Sequence, residues 1–384
     1  MKILQIYELN PLESIGGVEI AILNLSKELA RRGHEVSILT GAGSGNGRAG
    51  ENGLKVMTCD LFGSLKHTYL PGRLTILRQL LFASALLSRK IRACFDIYHG
   101  HVYSSGLLAT RLASQNGGVA VNTIHGSYYP VWNMISDPLA AFFYKTAEKR
   151  LASLLSKKAD LQIHVSTYFA EQVQSWSDSE RIRVIPNGVD PGVFSPKVER
   201  SFTSDLPVVL TARRLVRKNG VEYLIKAMES LKGECRLVIV GEGPERRRLE
   251  ALAKGREDIV FLGSVPHEKM PGVIASADVT VVPSIIEASS LFMLEAMSME
   301  KPVVAASVGG LPETLGNEGL LVPSMSPEGL AGAIHGLLCD EGMRRRLGDR
   351  ARKRILKHYT WEKIGCCVEE EYLRLLDRGA DLNG

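Results

Sequence analysis

One pattern recurs along most of this chain: a short run of Val, Ile and Leu, a turn, and then apolar residues at helical spacing. The opening KILQIY predicts a strand, and Gly16-Gly17 a break after it. Val18, Ile22, Leu25 and Leu29 follow at spacings of four, three and four, which is one face of a helix. Arg31-Arg32-Gly33 ends that helix, with cations where the helix dipole favours them, and EVSILT is the next strand. Further strands are expected in DIYH (96–99), VAVNTIH (119–125), LQIHVS (161–166) and IRVIP (182–186). The alternation then restarts with PVVLTA, RLVIV, IVFLG, DVTVVP, PVVAA and GLLVP. Repeated strand-then-helix order dictates parallel sheets, doubly wound by helices on both faces through right-handed crossovers.

At 384 residues the chain is too long for one ordinary core, and two domains fit better. Asn187 to Pro207, with Gly188, Pro191, Gly192 and Pro196, reads as the connection between them. The expected division is 1–190 and 191–360, with a C-terminal helix over 361–384 completing the first domain. Ligands of open parallel sheets sit beyond the carboxyl ends of the strands, so the cleft between two such domains is the expected site. A composition of 45% hydrophobic and 23% charged residues excludes a disordered chain. The 37 glycines do not repeat as G-X-Y, so they mark turns rather than collagen; the tract Gly41 to Gly53 reads as a mobile loop.

A net charge of +5, with no zinc-finger, RNA-recognition or basic-zipper pattern, gives no case for nucleic acid. Six cysteines without a C-x-x-C pair, and an opening without the layout of a signal peptide, predict a reducing cytoplasm. The apolar run Leu80 to Leu87, bounded by Arg78 and Arg89, is too short to span a bilayer.

The chemistry concentrates in PSIIEASSLFMLEAMSMEKPVVA, Pro283 to Ala305, which holds Glu287 and Glu295 with seven residues between them. Glu287 falls in the loop after DVTVVP, and a helix is expected to begin near Ser290. Free N–H groups at Ser290, Leu291 and Phe292 would then face an anion such as a diphosphate, and a carboxylate one turn into the helix could bond a ribose diol. A glycosidase pair is a poor alternative. Five helical residues already span about 7.5 Å before the loop is added, beyond the roughly 5–5.5 Å of a retaining pair. No Asp-x-Asp triplet offers to hold a divalent metal, and no metal site is expected.

The two glutamates resemble the E-x7-E signature of retaining glycosyltransferase family four, whose fold is GT-B: two Rossmann-like α/β domains facing a central cleft. The similarity runs on in order. RIRVIPNGVDPGVF (Arg181 to Phe194) looks like the family's linker strand and turn, and RRLVRKNGV (Arg213 to Val221) like its phosphate-binding loop. VIVGEGPERRRLE (Val238 to Glu250), SVGGLPE (Ser307 to Glu313) and Gly16-Gly17-Val18-Glu19 match its other turns.

The resemblance implies transfer of a hexose-type sugar from a nucleotide-diphosphate sugar, a co-substrate rather than a cofactor, to an acceptor hydroxyl without a metal. Gly16 and Gly17 would let the backbone approach the donor diphosphate. Arg214 and Lys218 would neutralise the leaving group, with Arg213 beside them. Gly241, Ser289, Ser290 and Leu291 would line the donor, Glu295 would bond the ribose, and Glu287 and His125 the transferred sugar. His99 and His101, flanking Gly100, could line the acceptor side.

Two departures bear on these roles. The usual arginine-to-lysine spacing is five, which Arg213 satisfies with Lys218, whereas an ungapped register puts Asn219 at the lysine position. A glycine-aromatic-glycine run is often found after the first glutamate, where this chain has Ala288-Ser289-Ser290, which bears on donor identity.

The acceptor half carries the basic surplus. Residues 61–160 hold 12 Lys and Arg against 4 Asp and Glu, while 191–384 hold 27 of each sign. Pro71 to Arg92 and Phe142 to Lys158 place apolar residues beside basic ones at helical spacing, as helices lying on anionic membranes do. The acceptor is therefore expected to be a glycan or a lipid-linked molecule, with a position on the inner membrane face as the alternative to free cytoplasm. Two other functions fit the same residues: a GT-B epimerase, and a non-catalytic nucleotide-binding partner of another transferase.

Overall fold

The computed structural model describes residues 1–11, 16–41, 54–58, 94–127, 129, 132–135, 138–174 and 179–381. The glycine-dense tract over 42–53 and the basic segment 71–92 lie outside the described residues. The chain divides into two compact units, Met1–Pro186 with Trp361–Gly384, and Asn187–Thr360.

Among the described residues the first unit holds seven parallel strands: β1 (Lys2–Tyr7), β2 (Glu35–Thr40), β3 (Lys55–Thr58), β4 (Ile97–His101), β5 (Val119–Ile124), β6 (Leu161–His164) and β7 (Ile182–Val184). Their spatial order is β3-β2-β1-β4-β5-β6-β7, so the chain reverses its direction of winding between β1 and β4. Helices α1 (Gly17–Arg31), α2 (Val102–Asn116), α3 (Pro138–Lys158) and α4 (Thr167–Gln174) are the described crossovers.

Strand alternation gives the sheet two unlike faces. Leu4, Ile6, Leu39, Tyr98 and Ala120 pack as an apolar layer with Leu108, Ala109 and Leu112 of α2. Gln5, His99, His101 and Thr123, at the alternate positions of β1, β4 and β5, are also buried. Gly100 stands between the histidines because a Cβ there would come within 2.4 Å of the Ser105 carbonyl oxygen in α2.

The second unit holds β8 (Val208–Ala212), β9 (Arg236–Val240), β10 (Ile259–Gly263), β11 (Val279–Val282), β12 (Val303–Ala306) and β13 (Leu320–Val322), all parallel, in the order β10-β9-β8-β11-β12-β13. Here both faces are apolar, which is why the strands read as unbroken Val, Ile and Leu. Val208, Leu210, Val238, Val240, Val303 and Ala305 join one core, and Val209, Leu237, Ile239, Val279, Val281 and Val304 the other. Helices α5 (Val221–Ala227), α6 (Arg246–Leu252), α7 (Leu291–Ser298), α8 (Pro327–Cys339) and α9 (Glu341–His358) cover the sheet. The chain then returns to the first unit as α10 (Trp361–Asp381), which packs on α1. Arg32 Nε donates to Glu369 at 2.6 Å, and His34 Nε2 lies 2.6 Å from the other oxygen of that carboxylate.

Each strand expected from the sequence forms, with ends shifted by a residue or two. β3 was not anticipated, because its four residues follow a glycine-rich tract and carry no longer apolar run. Among the described residues no helix is long and apolar enough to cross a membrane.

Candidate active site

In the second unit the winding reverses between β8 and β11, where an open α/β sheet leaves a crevice at its carboxyl edge. Arg213 is the first residue after β8, and Glu287 lies in the loop after β11. The two meet there as an ion pair between Arg213 Nη2 and Glu287 Oε2. The arginine side chain is only 6% exposed, and its Nε and Nη1 are buried without a hydrogen-bond partner. A buried guanidinium with unmatched donors is costly unless acceptor oxygens arrive. The fork is therefore held by one carboxylate, with two of its donors unmatched.

The loop geometry explains which basic residue stands where. Asn219 is buried and its Nδ2 donates to the Arg214 carbonyl oxygen at 2.7 Å, so this side chain secures the loop rather than facing outward. Lys218 is half-buried, and its carbonyl accepts from Ile285 N at 2.8 Å, tying the β8 loop to the β11 loop. Arg214 is exposed, so of the two arginines it is Arg213 that the structure brings to Glu287. Gly241, at φ +127°, lies so close beneath this loop that a Cβ would fall 1.9 Å from the Arg213 carbonyl oxygen. Its place is thus behind the arginine, shaping the loop from the backbone side. Gly309, at φ +55°, does the same for the acidic partner, where a Cβ would stand 1.9 Å from the Glu287 carbonyl oxygen. That carbonyl accepts from Gly310 N at 3.0 Å.

Ser290 is the N-cap of α7, and its Oγ accepts from Met293 N at 3.3 Å. The first-turn N–H groups of Leu291 and Phe292 have no acceptor within the helix, as at any helix start, and point toward the carboxyl edge. The Ser289 hydroxyl beside them is buried without a partner. Glu295, one turn into α7, is buried and its Oε1 lies 2.7 Å from His267 Nε2. His267 was not singled out from the sequence: it sits in the short turn after β10, and no spacing rule links it to a carboxylate 28 positions away.

In the first unit Gly16 is the N-cap of α1, with extended backbone, and its carbonyl accepts from Ile20 N at 3.0 Å. Its missing Cβ leaves room for the Glu19 carboxylate, whose Oε2 would lie 2.3 Å from any such atom, while Gly17 is exposed. His125 is the first residue after β5; its Nε2 lies 3.0 Å from His101 Nδ1, and its own Nδ1 is buried without a partner among the described residues. His101 Nε2 lies 2.7 Å from Gln5 Oε1.

The expectation that His99 and His101 line an acceptor surface is corrected by their burial inside the sheet layer. His99 has both nitrogens engaged, Nδ1 with the Tyr372 hydroxyl at 2.5 Å and Nε2 with Thr123 Oγ1 at 2.6 Å. Burial pushes the His99 ring down to about 3, with the neighbouring His125 adding to the effect, and pushes His125 down to about 4. The same desolvation, reinforced by His99 and His125, holds His101 well below the ordinary histidine range, so all three rings are neutral at pH 7. Immediately after His101, Val102 opens α2 at φ +64°, a conformation that costs a β-branched residue on the order of 1–3 kcal/mol.

Two doubly wound parallel-sheet units are the architecture of the GT-B class. The comparisons with known proteins agree. Residues 15–193 match the family described as Glycosyltransferase Family 4, and residues 197–354 the family described as Glycosyl transferases group 1. The chain is 31% identical to the alpha-D-kanosaminyltransferase of Streptomyces kanamyceticus, over 70% of this chain and 74% of that one. It is 29% identical to the D-inositol 3-phosphate glycosyltransferase of Xylanimonas cellulosilytica, over 94% and 93%. Its structure is similar to that of sucrose-phosphate synthase from Thermosynechococcus elongatus, with a TM-score of 0.87 at 25% identity, covering 98% of this chain and 100% of the other. This chain belongs to glycosyltransferase family four.

Proposed function

We propose that the enzyme is a retaining, metal-independent hexosyltransferase that moves a sugar from a nucleoside-diphosphate sugar to the hydroxyl of a glycan or lipid-linked acceptor. The observation that carries this reading is the buried Arg213 fork, anchored on Glu287 with two donor nitrogens unmatched. Diphosphate oxygens are the acceptors that would complete it, with Lys218 and the N–H groups of Leu291 and Phe292 sharing the charge. In this reading cations meet the negative charge that grows on the leaving oxygen as the glycosidic bond breaks, the electrostatic service a metal ion performs elsewhere. The acceptor hydroxyl arrives on the face the diphosphate leaves, and a donor phosphate oxygen takes its proton. Glu287 and His125 bond the transferred sugar, and Glu295 the ribose.

The acceptor side of the proposal rests on α3. Its inner face buries Ala141, Glu148, Ala152 and Leu155, with Glu148 accepting from Trp132 Nε1 at 2.7 Å. Its outer face leaves Leu139, Phe142 and Phe143 more than 60% exposed, beside a hollow of about 620 Å³ lined by Lys145, Lys149, Arg150 and Lys157. Exposed aromatic residues beside a cluster of cations suit an anionic membrane surface on which a lipid-linked acceptor would be met.

Calorimetry with UDP, GDP and ADP, followed by transfer assays with each matching sugar, tests the donor half. Binding of none of them sinks the reading. An inverted anomer in the product would remove the retaining mechanism, and loss of turnover on chelation the metal independence. Co-sedimentation with anionic liposomes tests the acceptor half, which falls if binding is absent at low salt.

A further inference from the structure

We propose that His101, backed by Gln5, is a positioning residue that fixes the His125 ring with its proton on Nε2, leaving Nδ1 as a bare acceptor for a hydroxyl of the transferred sugar. This rests on the reading that His125 meets that sugar, and adds how the ring is set for it.

The protons can be counted along three neighbouring strands. Gln5 on β1, His101 at the end of β4 and His125 just after β5 form one line of side chains across the sheet. Gln5 Oε1 only accepts, so the nitrogen 2.7 Å away, His101 Nε2, carries that ring's proton. A neutral imidazole holds one proton, so His101 Nδ1 is left with a lone pair. The atom facing it at 3.0 Å, His125 Nε2, must then be the donor. His125 in turn has no second proton, and its Nδ1 is an acceptor.

That atom is buried and has no partner among the described residues. Burial keeps the three rings of the cluster neutral, so the chain of single protons persists at pH 7. His99, stacked on His101 with ring centroids 4.4 Å apart, does not disturb it, because its own nitrogens are engaged by Tyr372 and Thr123.

A bare imidazole nitrogen discriminates by chemistry. It bonds a hydroxyl, which can donate, and repels a phosphate oxygen, which at neutral pH offers only lone pairs. Nδ1 of His125 is therefore matched to the sugar of a nucleotide-sugar and mismatched to its diphosphate. The tautomer matters because moving the proton to Nδ1 would leave two lone pairs facing each other at His101 and would turn the nitrogen that faces the sugar from an acceptor into a donor.

The test is made on the full chain labelled with ¹⁵N-histidine. Long-range ¹H–¹⁵N correlation at pH 7 should show His125 with an unprotonated Nδ1 and a protonated Nε2. The nucleotide-sugar that supports transfer should move the Nδ1 resonance, and the free nucleoside diphosphate should not. His101→Phe should abolish the fixed pattern and lower kcat about 10- to 100-fold, as loss of a histidine-orienting partner typically does, with the donor KM little changed. His101→Asn, which can place a carbonyl oxygen where Nδ1 stood, should restore much of the loss. The proposal is overturned if the unaltered protein carries the proton on His125 Nδ1, or if His101→Phe turns over like wild type. The nitrogen resonances are read in the unaltered protein, so a variant that fails to fold does not remove the test. If wild-type enzyme transferred no sugar from any donor, the functional reading would fail while the resonances still decided the tautomer.

Discussion

At Arg213 a structural bond and the proposed donor contact fall on one side chain. One end of its fork is fixed by Glu287 while the other nitrogens wait, so a lysine there would keep the charge and lose the geometry. Arg213→Lys is expected to weaken nucleoside-diphosphate binding about 10- to 100-fold, the scale of a lost charge-assisted hydrogen bond, as measured by calorimetry. The buried histidines make a second prediction at this scale. Burial holds His99 down to about 3, and His125 and His164 to about 4. The unfolded chain takes up protons on these rings near the ordinary histidine value of about 6.5, so the unfolded state binds more protons as pH falls. Stability is thus full above about pH 6.5 and is lost on the way to pH 4, by about 1.4 kcal/mol per pH unit for each ring. His164, whose two nitrogens are both buried without partners, is the cleanest probe: His164→Leu should flatten the dependence of the melting temperature over that range by one proton. Arg213 and Glu287 were legible as candidates because both follow strands, where parallel sheets gather ligands. Which of Arg213 and Arg214 faces Glu287 was not, since it depends on Asn219 turning its amide into the loop. Nor was the pairing of His267 with Glu295, a contact between loops far apart in sequence.

Elements place these residues through backbone contacts that side-chain patterns do not reveal. The strands were legible because both faces of the second sheet are apolar, and the start of α7 because Ser290 is a good cap. The enclosure of His99 and His101 was not, because an alternating strand does not announce that its polar face will be covered by a helix some 270 residues later. At the β11–α7 junction the decisive contact is made by an atom that is missing. Gly309→Ala must fit a Cβ against the Glu287 carbonyl at φ +55°, which costs on the order of 1–3 kcal/mol or displaces the loop. Because the loop carries Glu287 and its bond to Arg213, activity should fall by more than the melting temperature suggests. A variant with wild-type kcat/KM would show that the loop position is not critical.

At the scale of the whole molecule, the first unit is built from both ends of the chain. Its last helix, α10, anchors α1 through Glu369 and closes over His99 with Tyr372. Removing residues 361–381 should lower or abolish the melting transition of the first unit while leaving that of the second, whose strands and cores all lie within Asn187–Thr360. Two transitions in a calorimeter, treated separately because such a chain need not unfold in one step, would show it. The same layout sets an order of events during synthesis. The unit that begins at the ribosome first is completed last, after the whole of the second has been made. At about 5–20 residues per second the sheet, whose last strand β7 ends at Val184, waits roughly ten to forty seconds for the helix that bears Tyr372. Over that interval Gln5, His99 and His101 lie under no finished roof. A nascent chain stalled near Thr360 should be cut readily by protease in its first 186 residues and resist it beyond them.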